Sequence, residues 1–233
     1  MTNAIRYELT RLRTVRSTWV LLGSGLVLQA LIALIVMNKT DLTPGAQLTM
    51  AFDGLPLLLV SLFSTAVAVS AFGHEYRYGT ITTTMLTLRA PGKVLAAKGL
   101  TCGALAAATG AALVAVTLAV QAAVSSVPGE TALIARTFAA VMVYTTLAAL
   151  VGLAIAALAR NATFAMVAAI GLPTVVEMPA MLAGVSPKLM PFTAAGRLVD
   201  PSVGHPALTA LPLLGLTAGL LTVGGIMLAR RDV

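Results

Sequence analysis

HEYRYGTITTTMLTLRAPGKVLAAK, residues 74–98, is a basic, turn-rich stretch between two long apolar runs, and it holds four of the fifteen Lys and Arg residues: Arg77, Arg89, Lys93 and Lys98. Outside it the chain is mostly apolar. Hydrophobic residues make up 58% of the 233 positions, charged ones only 10%, and mean hydropathy is +0.96. A soluble domain carries about 25% charged residues. This chain cannot cover a water-facing surface, so it is expected to be an integral membrane protein.

Working outward from that stretch, six runs are long enough to cross a bilayer: residues 17–37, 54–73, 99–124, 137–158, 162–185 and 207–229. Crossing a hydrocarbon core of about 30 Å takes roughly 20 helical residues. Lipid offers the backbone no hydrogen-bond partners, so such runs form helices, and the alternating segments of a membrane β-barrel are absent. The expected fold is an all-α membrane protein. Residues 1–16 form an amphipathic interface helix and residues 17–233 a six-helix transmembrane domain. That domain carries the polar segment 74–98 between spans two and three and an external segment, 186–206, before span six. The apolar run after Arg16 exceeds the roughly 7–15 residues of a signal-peptide core and ends in no A-x-A site, so it is expected to remain as an uncleaved first span. A composition rich in Ala and Arg and poor in Lys suggests a GC-rich bacterial genome. The single cysteine, Cys102, excludes an internal disulfide and reads as a small packing residue.

The cations fall unevenly about the spans. Arg6, Arg11, Arg13, Arg16, Arg77, Arg89, Lys93, Lys98, Arg160, Arg230 and Arg231 share one side, against Lys39, Arg136, Lys188 and Arg197 on the other. The positive-inside rule then makes both termini and segment 74–98 cytoplasmic, in a multi-pass protein of the bacterial plasma membrane. Topology accounts for the net charge of +7. No basic cluster is interleaved with aromatics, so nucleic acid is not an expected partner.

In the N-terminal arm Ile5, Leu9, Leu12 and Val15 recur at helical spacing while Arg6, Arg13 and Arg16 lie off that face. Such a helix lies in the membrane interface, apolar side down, with arginines at anionic headgroups; Trp19 stands where an interfacial aromatic anchor would. Residues 186–206 carry Pro187, Pro191, Pro201 and Pro206 among Leu189, Met190, Phe192 and Val199. The stretch is too broken to span and too apolar for a solvated loop, which predicts short re-entrant or interfacial helices.

Segment 74–98 has its own internal grammar. Span two should continue through Glu75, Tyr76 and Arg77. Gly79 suits a helix C-terminus, Thr80 can cap a short helix over residues 81–88, Pro91-Gly92 ends it with a turn, and Lys93 and Lys98 lead into span three. A bare connection needs only two to eight residues; the extra length points to a cytosolic element with a task beyond setting topology.

Taken together, the six spans, the amphipathic N-terminal helix, the E-x-R-x-G-T block Glu75–Thr80, the Pro91-Gly92-Lys93 turn and the broken external segment resemble a type-2 ABC transporter permease. That resemblance implies that the element after span two is a coupling helix seated in a groove of a separate ATP-binding subunit. Glu75, Arg77, Gly79 and Thr80 would form or brace it, with Tyr76 and Tyr78 packed beside it. It also implies a second permease chain, identical or not, and an ATP-driven exporter. The chain has no G-x-x-x-x-G-K-[ST] phosphate loop, since Gly92-Lys93 is followed by Val94. ATP would therefore be bound and hydrolysed by the partner, and this chain itself needs no cofactor.

Glu177 is the one ionisable residue placed inside a predicted span, between Pro173 and Pro179. A carboxylate at a helix centre costs about 2.5–3.5 kcal/mol on insertion scales and turns toward protein or water. It is either a charged point on the substrate path or a helix–helix hydrogen bond beside a kink. Small residues at four-residue spacing (Gly99, Gly103, Ala107 and Ala111; Gly215 and Gly219) allow close helix approach, within the chain or at a dimer seam. His74 and His205 fall on opposite sides and cannot share a metal, Asp41 and Asp53 read as solvated flanks, and no catalytic constellation is visible. Gln29, Gln121 and Asn161 are the few polar candidates for lining a path, which fits a hydrophobic or amphipathic cargo such as a drug, lipid or peptide. An ion-coupled secondary transporter, which would place ionisable groups and broken helices near the midplane, is the alternative function, along with a non-transporting accessory or immunity subunit.

Overall fold

The computed structural model describes residues 2–39, 41–79 and 91–230, and every regular element among them is helical. Helix α1 (Thr2–Thr14) precedes the first span, α2 (Arg16–Met37). A short α3 (Pro44–Met50) leads to the second span, α4 (Leu55–Arg77), and the third is α5 (Pro91–Val124). The fourth is α6 (Thr131–Ala159). The fifth is built from α7 (Ala162–Gly171), a π-helical turn (Leu172–Glu177) and α8 (Met178–Leu182). Short 3-10 turns (Pro187–Leu189 and Arg197–Val199) flank α9 (Pro191–Gly196) before the sixth span, α10 (Pro206–Arg230). Six helices are thus long and apolar enough to cross a membrane. The short helix expected over 81–88, and Thr80 before it, lie outside the described residues.

Prolines mark where these helices begin. Pro44, Pro56, Pro91, Pro191 and Pro206 each sit in the first turn of a helix, where the missing N–H has no partner to lose. This corrects the expected turn at Pro91-Gly92: the pair opens α5, which therefore starts two turns before residue 99 and carries Lys98 inside the helix. Pro173 breaks the fifth span's hydrogen-bond ladder, and the chain accommodates the break with the π turn.

The fourth span is the axis. Two-thirds of its apolar window (67%) is buried, against 17% for the fifth span and 22% for the sixth. Lipid is as apolar as leucine, so helices associate in it through close packing, and small residues make that possible. A Cβ on Gly152 of α6 would come within 2.5 Å of Thr65 Cγ2 on α4, and one on Gly110 of α5 within 2.9 Å of the Met142 backbone on α6. Gly103 in the small-residue stripe of the third span likewise faces Thr146 and Leu150 of α6 within the same chain, whereas Gly215 and Gly219 of α10 have nothing within 4 Å.

Two further differences from the sequence reading have physical causes. The face of α1 that packs on the bundle is Ala4, Glu8 and Leu12, with Leu9 47% exposed, so of the Ile5–Leu9–Leu12–Val15 stripe expected to face the membrane interface Leu12 packs on protein instead. Glu8 is on the packed face because its carboxylate meets the Lys98 amine inside the bundle. Helix α3 was not anticipated. It docks through buried Gln47 and Leu48, followed by Ala51 and Phe52, all at 4% exposure or less. With alternate crossings, α1, the end of α4, the start of α5, the α6–α7 turn and the end of α10 share one face, called here the basic face.

Candidate functional site

At the basic face, four charged side chains from three helices meet, three of them buried and Arg11 at the edge, 14% exposed. Lys98, 0% exposed, extends its amine between two carboxylates and donates to Glu8 Oε1 and Glu75 Oε1, each at 2.6 Å, and to the Ala71 carbonyl at 3.0 Å. Arg11 also donates to the Ala71 carbonyl, at 3.0 Å, and its Nε lies 3.0 Å from Glu8 Oε2, too far out of line for a hydrogen bond. Phe72 covers the Lys98 amine, its ring centre 5.2 Å away. Two anions and two cations balance, which is the condition for keeping charge away from water. Breaking such a buried set costs about 3–5 kcal/mol because the remaining charge has nothing to answer it. Tyr7, on α1 beside the cluster, has its phenol pushed above the usual value by burial, with the Glu75 and Glu8 carboxylates adding to the rise.

Position gives this quartet its importance. Glu75 stands in the last turn of α4, Lys98 two turns into α5, and between them the chain runs through residues 80–90. Glu8 and Arg11 add α1. The root of the segment after span two is therefore one clamped three-helix unit. Of the residues expected to form or brace a coupling element, Glu75 is turned inward at 3% exposure. Tyr76 is half-buried, stacked on Phe72 with ring centres 6.1 Å apart, and its hydroxyl donates to the Ala157 carbonyl of α6 at 3.4 Å. Arg77, Tyr78 (71% exposed) and Gly79, whose φ of +68° ends the helix as expected, face outward. Sequence reasoning does not reach Glu8 and Arg11 as site residues, and it marks Lys98 as the cation opening span three without a partner. The available signal was scarcity: among the acidic residues, only Glu8 and Glu75 fall near the cation-rich side ahead of the tail, and each needs a cation.

Glu177 lies at the opposite face, buried at 3%. Its Oε1 accepts from the Phe192 N–H at 2.8 Å, and its Oε2 from the Thr193 N–H and hydroxyl, both at 2.8 Å. The carboxylate caps α9 and pins the segment before span six to the end of the π turn. A cavity of about 270 Å³ adjoins it, lined by Leu58, Tyr144, Thr174, Met178, Thr193 and Arg197 among others. Arg136 of α6 fastens the next stretch of the same segment by donating to the carbonyls of Leu198, Asp200, Pro201 and Val203, at 2.6 Å for Asp200. Hydrogen bonds from the Ser202 hydroxyl and N–H hold the Asp200 carboxyl below the usual carboxylate range.

The polar residues expected to line a path are engaged within the protein. Gln29, fully buried, donates to Thr117 Oγ1 at 2.8 Å and to the Ala51 carbonyl; Gln121, fully buried, donates to the Pro44 carbonyl at 2.9 Å. Together they seat α3 against spans one and three. Asn161 caps α7 by accepting from the Phe164 N–H at 3.0 Å. Trp19 is 57% exposed and donates to the Arg13 carbonyl at 3.0 Å. Among the described residues no three His, Cys, Asp or Glu side chains converge as a metal site requires.

Comparison with the curated proteins returns no match. Comparison with protein families matches residues 4–179 to the ABC-2 family transporter protein family. The matched stretch takes in α1, the first four spans and the fifth through its π turn, with all four members of the charge cluster and Glu177. The chain belongs to the ABC-2 family of transporter proteins, as a multi-pass membrane permease.

Proposed function

We propose that this permease is the membrane subunit of an ATP-driven exporter in a bacterial plasma membrane, with its basic face and both termini cytoplasmic. It works with separate ATP-binding subunits and a second permease chain, identical or homologous. ATP is bound and hydrolysed on the partner, and this chain contributes no covalent chemistry. The exposed Arg77, Tyr78 and Gly79, with the adjoining Thr80, form the contact to the ATP-binding subunit, while Glu75 and Tyr76 brace it from within. Export rests on the resemblance to type-2 permeases. An apolar, aromatic-poor interior suits a hydrophobic or amphipathic cargo.

The observation that carries this reading is the Glu8–Lys98–Glu75 bridge with Arg11 beside it. A connection that only set topology has no need of a buried charge clamp at its root, whereas an element that must transmit force does. When ATP closes the partner subunits, the segment they hold moves, and the clamp makes α1, α4 and α5 move with it. Close packing of α4 on α6 at Gly152 passes the motion to the axial span, and the bundle alternates between inward and outward openings. Glu177, by anchoring α9, holds the outward rim in shape and borders the 270 Å³ cavity through its partner Thr193, which is the place this reading gives it on the substrate path.

The test is mild-detergent co-purification of the tagged chain from its native membrane. The account expects a stoichiometric ATP-binding subunit, lost in Arg77→Glu while the permease stays monodisperse. Recovery of the permease alone, under conditions that keep a control complex whole, would move the reading to an ion-coupled or accessory role.

A further inference from the structure

A second feature of the basic face shares only Arg77 with the coupling account. Between α4 and the turn joining α6 to α7 lies a crevice of about 600 Å³. Its mouth is polar and cationic, formed by Arg77, His74, Arg160 and Asn161; its inner wall is made by Ala66, Val69, Ser70 and Met166. The Arg160 guanidinium lies over the Tyr76 ring and that of Arg77 over the Tyr78 ring, each 5.9 Å from the ring centre. A cation over a ring face is attracted by the ring without using its N–H groups, which can still donate. Among the described residues neither arginine is in an ion pair, because the nearby carboxylates Glu8 and Glu75 are taken up by Lys98 and Arg11. The mouth thus presents two uncompensated guanidinium groups, the side chain best matched to a phosphate.

Shape decides what kind of phosphate. Ala66 lies eleven residues before Arg77 on one helix, which is about 16 Å at a rise of about 1.5 Å per residue. The crevice therefore starts at a charged rim and continues well into the span along small and apolar residues. Its α7 side is formed by Ala162, Thr163 and Met166, on the least buried span of the bundle. A free anion would use only the mouth; a phospholipid would fill both parts, its phosphate between the arginines and an acyl chain along the inner wall. Basic pockets between spans at a membrane face are suited to anionic headgroups. We propose that the α4–α7 crevice is a binding site for an anionic phospholipid of the leaflet at the basic face, held by Arg77 and Arg160. Because Arg77 also belongs to the proposed contact with the ATP-binding subunit, the site is tested on the permease purified without that subunit, where loss of lipid and loss of partner are read separately.

Native mass spectrometry of the detergent-purified chain, titrated with phosphatidylglycerol or with phosphatidylcholine of the same acyl chains, tests this. Two arginines near a headgroup, at about 1 kcal/mol each, predict a preference for phosphatidylglycerol of about tenfold or more. The wild-type protein should retain one such lipid per chain, and the preference should shrink as NaCl is raised. Arg77→Gln with Arg160→Asn should abolish it; asparagine is chosen because position 160 has a positive φ of 53°, which Asn tolerates. Ala66→Phe, filling the inner wall, should weaken retention of both lipids, and Arg13→Gln, an exposed arginine elsewhere on the same face, should change nothing. Equal retention of the two lipids by wild-type protein overturns the proposal without recourse to any variant, and so does a preference lost as readily in Arg13→Gln. Displacement of phosphatidylglycerol by inorganic phosphate at equal concentration would overturn the lipid assignment in favour of a free-anion site.

Discussion

A charge enclosed in a membrane protein stays charged only with its counter-charge within reach, and Lys98 has two carboxylates at 2.6 Å. Remove the amine, and Glu8 and Glu75 are left buried together with Arg11 alone to answer them. Lys98→Met should therefore lower stability by about 3–5 kcal/mol, read as an earlier unfolding transition in detergent. Glu8→Gln should cost less, since Lys98 keeps Glu75. An unchanged transition in Lys98→Met would mean that the cluster is wet and that its geometry carries little energy. Only half of this cluster was legible in the sequence. Glu75 stood out within the E-x-R-x-G-T block, but periodicity sorts residues into apolar and polar faces, and on that basis Glu8 belongs with the solvent. What placed it inside was a partner ninety positions away, which spacing along one helix cannot reveal. Glu177 was legible as costly to bury, and both weighed roles were open. The structure supplies what the sequence lacked, the Phe192 and Thr193 N–H groups of α9 that meet its oxygens.

Packing between whole helices depends on a few positions where a side chain is missing. On α6, Gly152 lets Thr65 of α4 approach so closely that an added Cβ would stand 2.5 Å from Thr65 Cγ2. Gly152→Val should push α4 off the axial span at a cost of about 1–3 kcal/mol or more, seen as a lower melting temperature and a lower monodisperse yield. Gly219→Val on α10, with nothing within 4 Å, should leave the melting temperature of the isolated chain unchanged; comparable losses in both variants would refute this packing scheme. The six spans were readable because twenty apolar residues in a row have few other uses. Helix α3 was not, because seven residues are too few to show a period, and besides Leu48 it is held by hydrogen bonds of Gln29, Gln47 and Gln121 that no local pattern announces. The early start of α5 was misjudged for a related reason: Pro91-Gly92 reads as a turn, yet proline at a first helical position is equally favourable.

At the scale of the whole molecule the two faces differ in chemistry. One gathers the cations, the charge cluster and the lipid crevice; the other gathers the broken segment fastened by Glu177 and Arg136. The asymmetry in cations was plain from the sequence, but not which of them are spent internally: Lys98 and Arg11 are, while Arg77 and Arg160 remain available. That division underlies the central claim, that α1, α4 and α5 act as one rigid lever beneath the residues that receive the ATP-binding subunit. It can be measured by spin-label distances between Thr10→Cys on α1 and Lys93→Cys on α5, both exposed positions, with Cys102 replaced by alanine. The account predicts one narrow distance, the same in the free permease and in the ATP-bound and nucleotide-free complex, that broadens in Glu8→Gln. A distance in the unsubstituted lever that shifts with nucleotide, or a distribution already broad with Glu8 in place, would contradict it.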